Sequence, residues 1–395
     1  MNDLIDAVDE IEKLSQKNRE LFKDFLLELD AEGLSTYRKK RYKQSIKRLA
    51  EFIDFKLDEA SPKELKQLAG KINNDKIKKY NGEPYSEWSK SEFKKLLQKY
   101  YTTIDQENKI EWLKASPDKR KLSNINPDKL LTPEDAKEMI EAADNLRDKA
   151  VFYLLWDTGA RVGGLLKTQE NNHHLKWKHV TFKDDLMQIE ILDKTGWRTL
   201  KVRDSMPIMK QHWENSSKDM EEPVFKQQQA YRNGDKPLTA KALRKKLREA
   251  KKRTTLSDRK KVNPHAWRKA RATHKARIGW NQSQICYYFG WVEGSKEAAK
   301  YIRLSERDME KALDQEYGLE TKDYSKEDKA LQMRECPSCG RKNAAIATVC
   351  INCSTELSNT DTPSREDEIE WRDRLLKAME KNPEKVSEKL EEALQ

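Results

Sequence analysis

The chain has 395 residues, more than one hydrophobic core usually supports, so two or three domains are expected. Hydrophobic residues make up 36% and charged residues 37%, while ten Trp, thirteen Tyr and nine Phe supply core anchors, which excludes a wholly disordered chain. Net charge is +11, yet between Lys241 and Arg277 sixteen Lys or Arg stand against two acids, a local net of +14, so the remainder is slightly acidic. A basic segment of that density suits a polyanion, and no amphipathic anchor rich in large apolar residues accompanies it to favour a membrane over DNA or RNA. Met1-Asn2-Asp3-Leu4 has neither a basic leader nor an apolar core, and no later apolar run matches a membrane span; a soluble intracellular protein is expected.

In chain order, Leu4, Ile5, Val8, Ile11, Leu14, Leu21, Phe25, Leu26 and Leu29 recur with helical period up to Gly33. A second helix follows Leu34-Ser35, with Tyr42, Ile46, Leu49, Phe52 and Ile53 on one face and Arg38, Lys39, Lys40, Arg41, Lys43, Lys47 and Arg48 on the other. Ser61-Pro62 with Glu64 reads as a capping box, and Gly70 as the end of that helix. A further helix covers about Ser89 to Thr102. These four or five helices make an all-α first domain over residues 1–115. Residues 116–131, with Pro117 and Pro127 and no apolar period, read as a linker.

Thr132-Pro133 with Asp135 opens a second domain, expected over residues 132–325. Ala150 to Leu155 is apolar and runs into Thr158-Gly-Ala-Arg161. The pattern then turns to strands at His179–Phe182, Met187–Leu192 and Trp197–Val202, with Asp193-Lys194-Thr195-Gly196 as a hairpin turn. Helices return near Thr239. Asn263-Pro264 is an N-cap with proline at the first helical position, placing His265 and Arg268 three apart on one face. Gly290-Trp291 and Tyr301 follow.

Cys336-Pro-Ser-Cys339 and Cys350-Ile-Asn-Cys353 form two knuckles ten residues apart. Four thiols and no histidine suit a closed structural zinc site in a domain of residues 333–358 that is too short to bury its own core. Cys286 stands alone and reads as core. A charged terminal helix is expected over residues 366–395, with Ile369, Leu375, Leu376 and Met379 on one face. The fold class is therefore mainly α with one small antiparallel sheet.

Arg161, Lys194, His265, Arg268 and Tyr301 together make a metal-free kit for phosphoryl transfer. Arginines can hold non-bridging oxygens, lysine and histidine can move protons, and a tyrosine hydroxyl can attack phosphorus. Their order and spacing, with Trp291, resemble the tyrosine recombinase (phage integrase) family over about residues 132–310, and the all-α segment before them resembles that family's core-binding, DNA-clamping domain. By that resemblance Arg161 and Arg268 would bind the scissile phosphate, and Lys194 would be the general acid toward the 5′-oxygen, with Lys201 as its substitute. His265 would act as base or hydrogen-bond donor, Trp291 would donate through its indole N–H, and Tyr301 would be the nucleophile giving a 3′-phosphotyrosine. Tyr287, Tyr288 and Tyr324 are the rivals to Tyr301. Two departures stand out. Trp291 occupies a position where the family commonly has histidine, and Gly163-Gly164 stand where it often carries an acid bracing the first arginine.

The resemblance implies strand exchange on double-stranded DNA at a specific site by a homotetramer, in the cytoplasm at the nucleoid, with no cofactor for the chemistry. Arg38, Lys39, Lys40, Arg41, Lys43, Arg244, Lys245, Lys251, Lys252 and Arg253 are the expected grip on the DNA backbone. The Cys336–Cys353 segment resembles a zinc ribbon, an arrangement closer to archaeal or archaeal-virus mobile elements, and the ribbon or terminal helix offers a surface for a protein partner. An inactive DNA-binding regulator on the same fold and a type IB topoisomerase are the alternative readings.

Overall fold

The computed structural model describes residues 8, 15–117, 129–169, 171–193, 196–227, 236–294, 296–302, 316–317 and 329–357. The expected tail helix at 366–395 and the hairpin lysine Lys194 lie outside them. The chain divides into two compact units: Met1–Leu130 with Lys167–His173, and Leu131–Leu166 with His174–Gln395.

The first unit is helical: α1 (Gln16–Ala31), α2 (Thr36–Ala50), α3 (Pro62–Asn73) and α4 (Glu87–Thr103). Serine starts each one. Ser15, Ser35, Ser61 and Ser86 accept a bond from a backbone N–H of the first turn, and Ser61 with Glu64 completes the capping box. Phe25, Ile46, Leu65, Leu97, Tyr100 and Tyr101 meet in one core. Gly70 does not end α3; Asn74 caps it, because Ile72 is needed in that core. On α2, Lys40 and Arg41 face solvent. Arg38 lies over the Tyr42 ring, and Lys39 pairs with Asp30.

The second unit opens with α5 (Pro133–Glu141) and α6 (Leu146–Thr158). Helix α6 is buried on every side from Ala150 to Thr158, which is why it shows no amphipathic stripe. A short helix α7 (Val162–Leu165) leads to a three-stranded antiparallel sheet, β1 (Val180–Phe182), β2 (Met187–Asp193) and β3 (Gly196–Val202), in that spatial order. Its hairpin pairs Ile189 with Leu200 and Asp193 with Gly196. Then come α8 (Met206–Glu214), α9 (Ala240–Lys251), α10 (Pro264–Arg277), α11 (Gln282–Phe289) and α12 (Lys296–Ile302). Trp267 on α10 is fully buried against Phe152 and Trp156 of α6, fixing how α10 lies on the domain.

Beneath α10 lies a buried polar network. Arg271 pairs with Asp157 at 3.3 Å and Asp204 at 3.8 Å, and Asp157 accepts from the Ser205 N–H at 2.8 Å and its hydroxyl at 2.9 Å. The cysteine segment is tied to this network. The Tyr153 hydroxyl donates to the Leu331 carbonyl at 2.8 Å and accepts from the Ala345 N–H at 3.3 Å, while the Met333 N–H bonds Asp204. There a two-stranded ribbon, β4 (Arg334–Glu335) and β5 (Lys342–Asn343), carries the knuckles.

Burial, and then the neighbouring Asp157 carboxylate, push the Asp204 carboxyl up to about 6. A raised folded-state pKa stabilises below the unfolded value near 4 and loses that contribution as pH rises through about 6. Asp204→Asn is therefore expected to be more stable than wild type at pH 8 by up to about 3 kcal/mol, with the gain shrinking as pH falls and vanishing below about pH 3. Urea denaturation across that range measures it.

Candidate active site

The site is assembled from three helix ends and one strand end. Gly159 closes α6 in the left-handed region at φ 53° and turns the chain so that Arg161 begins α7. A Cβ on Gly159 would lie 2.4 Å from Phe289 Cε1, so the turn packs directly on an aromatic ring. The Asn263 side chain accepts from the Ala266 N–H at 3.0 Å and starts α10, which presents His265 at its exposed end and Arg268 one turn inward, buried. Gly290, at φ 59°, closes α11 in the left-handed region and sends Trp291 across the site toward α12 and Tyr301.

Arg268 sits where the first and third of these turns meet. Its Nη1 donates to the Gly159 carbonyl at 2.9 Å and its Nη2 to the Phe289 carbonyl at 2.5 Å, satisfying orphan acceptors at two helix C-termini. Its guanidinium lies 5.2 Å from the Phe289 ring centroid and 5.1 Å from that of Trp291. Phe289 stacks on Trp291 at 5.2 Å, and Trp291 on Tyr301 at 5.3 Å with planes 7° apart. Trp291 is thus a plate between the guanidinium face and the tyrosine ring.

Arg161 is half-exposed and donates through Nη1 to Asp193 Oδ1 at 2.5 Å. Arg198 of β3 reaches the same carboxylate, Nε to Oδ2 at 3.3 Å, and its Nη1 donates to the Tyr288 carbonyl at 2.5 Å. Neither Asp193 nor Arg198 was expected from motif spacing. Their signal was strand parity: Met187, Ile189, Ile191 and Asp193 share the buried face of β2, so an apolar row ends on a carboxylate that burial obliges to pair.

The electrostatics follow from crowding. Burial and then Arg161 push Arg268 down to about 9, which leaves it protonated at neutral pH. His265 is held below the usual histidine range by the protein around its ring and by Lys269, Arg268 and Arg161, favouring neutral imidazole. Burial, with Glu297 adding and Arg268 opposing, pushes the Tyr301 phenol up to about 12. It is therefore un-ionised at rest, and any reaction through its oxygen must pass its proton on.

Of the basic residues expected at a backbone, Arg244, Lys245 and Lys252 are exposed on and just beyond α9, opposite its buried Leu243 and Leu247. Lys251 instead donates to the Asp258 and Lys260 carbonyls, and Arg253 to the Ala142 carbonyl. On α2, Lys43 is half-buried. Lys201 is exposed on β3, opposite Gln188. Of the rivals to Tyr301, Tyr287 is exposed and the Tyr288 hydroxyl donates to the Asp157 carbonyl at 2.6 Å; Tyr324 lies outside the described residues.

The four cysteine sulfurs lie within 4.8 Å of one another, with 3.5 Å between Cys336 and Cys353 and 3.7 Å between Cys339 and Cys350. A tetrahedral ion with about 2.3 Å bonds to sulfur sets sulfurs about 3.8 Å apart, so the donor set fits such an ion. Gly340 and Ser354, both at positive φ, bend each knuckle back, and each N–H bonds the first cysteine's carbonyl.

Residues 129–307 match the model of the phage integrase family. Among solved structures, a lambda integrase dimer bound to a COC′ core site matches at TM-score 0.54 and 16% identity, over 72% of this chain and 76% of that one. A lambda integrase tetramer bound to a Holliday junction matches at 0.52 and 14%, over 71% and 76%. The Tn1549 transposon integrase (residues 82–397) with circular-intermediate DNA matches at 0.50 and 15%, over 75% and 99%. At these identities the likeness is one of fold. No curated protein sequence matches the chain. No described helix is long and apolar enough to cross a membrane.

Because Gly159 both needs a positive φ and touches Phe289, Gly159→Ala is expected to cost about 2 kcal/mol or more, read by chemical denaturation.

Proposed function

With residues 129–307 forming a phage integrase family domain, we propose that the protein is a tyrosine-type site-specific DNA recombinase, cleaving and rejoining strands through a 3′-phosphotyrosine. One observation carries the reading. A buried phenol, Tyr301, stacks through Trp291 beside a buried guanidinium, Arg268, which shares its cationic surroundings with Arg161 and His265.

The Tyr301 oxygen attacks the scissile phosphorus as the bond to the 5′-oxygen breaks, so the phenol loses a proton and the leaving oxygen gains one. Arg161 and Arg268 hold the non-bridging oxygens and offset the charge that builds on them. His265, neutral and at the mouth of the site, exchanges a proton or hydrogen-bonds. Lys194 protonates the leaving oxygen, with Lys201 as the substitute. Trp291 works as a stacking wall that orients Tyr301, in addition to any bond from its indole N–H. Rejoining runs the same steps backward, which conserves bond energy without ATP or a metal ion.

Double-stranded DNA is the substrate, exchanged by a homotetramer. The all-α unit of residues 1–115 is read as the core-binding domain and residues 132–325 as the catalytic domain. Lys40, Arg41, Arg244, Lys245 and Lys252, exposed and basic, are the backbone contacts these helices offer best, with Arg38, Lys39, Lys43, Lys251 and Arg253 shaping the same faces. The ribbon of residues 333–358 takes Zn²⁺ through Cys336, Cys339, Cys350 and Cys353 as a structural ion, and it or the tail can meet a protein partner. Retention of every candidate catalytic residue disfavours an inactive regulator.

Two outcomes test this. Incubated with a pool of duplexes of random sequence, each carrying a nick beside which cleavage is irreversible, wild type is expected to form a covalent adduct and Tyr301→Phe to bind DNA but form none. An adduct in the variant would remove Tyr301 as the nucleophile. In the second, atomic emission should find one zinc per chain, and chelation should lower the melting temperature of the whole second unit, because Tyr153 and Asp204 couple the ribbon to α6 and α10. A metal-free chain with an unchanged melt would contradict a structural zinc.

A further inference from the structure

The chemistry proposed for Arg161 needs a guanidinium held still, yet Gly163 and Gly164, which follow it closely, carry no side chain that could hold it. Gly164 faces β2 so closely that an added Cβ would lie 3.3 Å from the Leu192 carbonyl and 3.6 Å from the Ile191 side chain. The space where a bracing acid would start is crowded by the strand itself. That same approach brings the end of β2 against the start of α7, and the residue at that end is Asp193.

We propose that Asp193 is the positioning residue for Arg161, a brace supplied from the sheet in place of one from the helix. Its side chain is 2% exposed while that of Arg161 is 35% exposed, so the carboxylate is the fixed partner and the arginine the one held. Arg198 secures the carboxylate from the other side, and is itself pinned by the Tyr288 carbonyl and roofed by Gly290, where a Cβ would lie 2.9 Å from Arg198 Nε. Asp193 thus links Arg161 to the Gly290 turn that carries Trp291 toward Tyr301. Its charge also offsets the repulsion among Arg161, Arg198 and Arg268, so a phosphate can enter without the arginines first being driven apart.

The inference rests on the recombinase reading for its catalytic arm, so the test has a second arm that does not. In the first, adduct formation is timed at saturating DNA on duplexes recovered from the nicked pool. Asp193→Asn is expected to slow it about 100-fold with DNA affinity within twofold of wild type, the size of loss that misplacing a reacting group by an ångström produces. Asp193→Glu, which keeps the charge, is expected to recover to within tenfold of wild type. In an Arg161→Ala background, Asp193→Asn should add less than threefold, since a brace has no effect once the braced group is gone. Denaturation of each variant accompanies the rates.

In the second arm, orthovanadate binding to the full chain is followed by calorimetry. Asp193→Asn is expected to weaken it at least tenfold, again with no further loss beside Arg161→Ala. Equal slowing by Asp193→Asn in both backgrounds, or unchanged vanadate affinity, would overturn the positioning role. If wild type forms no adduct while vanadate binding shows the coupling, the recombinase reading falls and the role of Asp193 stands. If wild type binds no vanadate, Arg161 and Arg268 are not an oxyanion site and the proposal falls with them.

Discussion

Like charges held close in a partly dry site repel, and the architecture of the second unit is an answer to that repulsion. Arg161, Arg198 and Arg268 act on one another, with His265 and Lys269 beside them. Each guanidinium is restrained by acceptors placed for it: Arg268 by the Gly159 and Phe289 carbonyls, Arg198 by the Tyr288 carbonyl, and Arg161 and Arg198 together by Asp193. Helix C-termini are good acceptors for this purpose, because their last carbonyls lack partners within the helix and carry the negative end of the dipole. What remains is a cluster of three guanidinium groups of which Arg161 is the most exposed.

The aromatic residues fix how the groups of that cluster lie against one another. For the nucleophile role proposed for Tyr301, a phenol pushed to about 12 is poorly reactive by itself, so its orientation matters more than its resting charge. The Phe289–Trp291–Tyr301 stack provides orientation, and Arg268 lies over the face of its first two rings. The two left-handed glycines make the stack geometrically available, Gly159 by letting Phe289 come close and Gly290 by reversing the chain after α11. Below it, the Asp157–Arg271–Asp204 network holds α10 to α6 and carries the cysteine ribbon on its far side. The ribbon is thereby part of the same mechanical unit as the site.

Much of this was legible in the amino-acid sequence, and the exceptions have physical causes. Order and spacing singled out Arg161, His265, Arg268 and Tyr301, and the structure places Arg161, Arg268, Trp291 and Tyr301 near one another with His265 at the exposed end of α10. Ser35, Ser61, Thr132 and Asn263 marked helix starts because capping is a local interaction, whereas Ser15 and Ser86 went unread as caps. Helix ends were less clear: Gly70 lies inside α3, where the need to bury Ile72 outweighs the cost of a glycine. Helix α6 gave no periodic signal because all its faces are covered. Asp193 escaped because it looks like a turn residue beside Gly196, and its meaning depends on a partner 32 positions earlier that only the folded sheet brings near. The basic segment is only partly a surface feature. Arg268 and Arg271 are buried, and Lys251 and Arg253 fasten loops, so its charge is less a surface stripe than the count of lysines and arginines suggests.

In the proposed reaction the bond energy of the cleaved strand is stored on one particular oxygen. Peptide mapping by mass spectrometry of the wild-type protein–DNA adduct identifies that oxygen. A single nucleotide remnant is expected on the peptide containing Tyr301, linked through a 3′-phosphate. A remnant on Tyr287 or Tyr288, or on a serine or histidine, would contradict it.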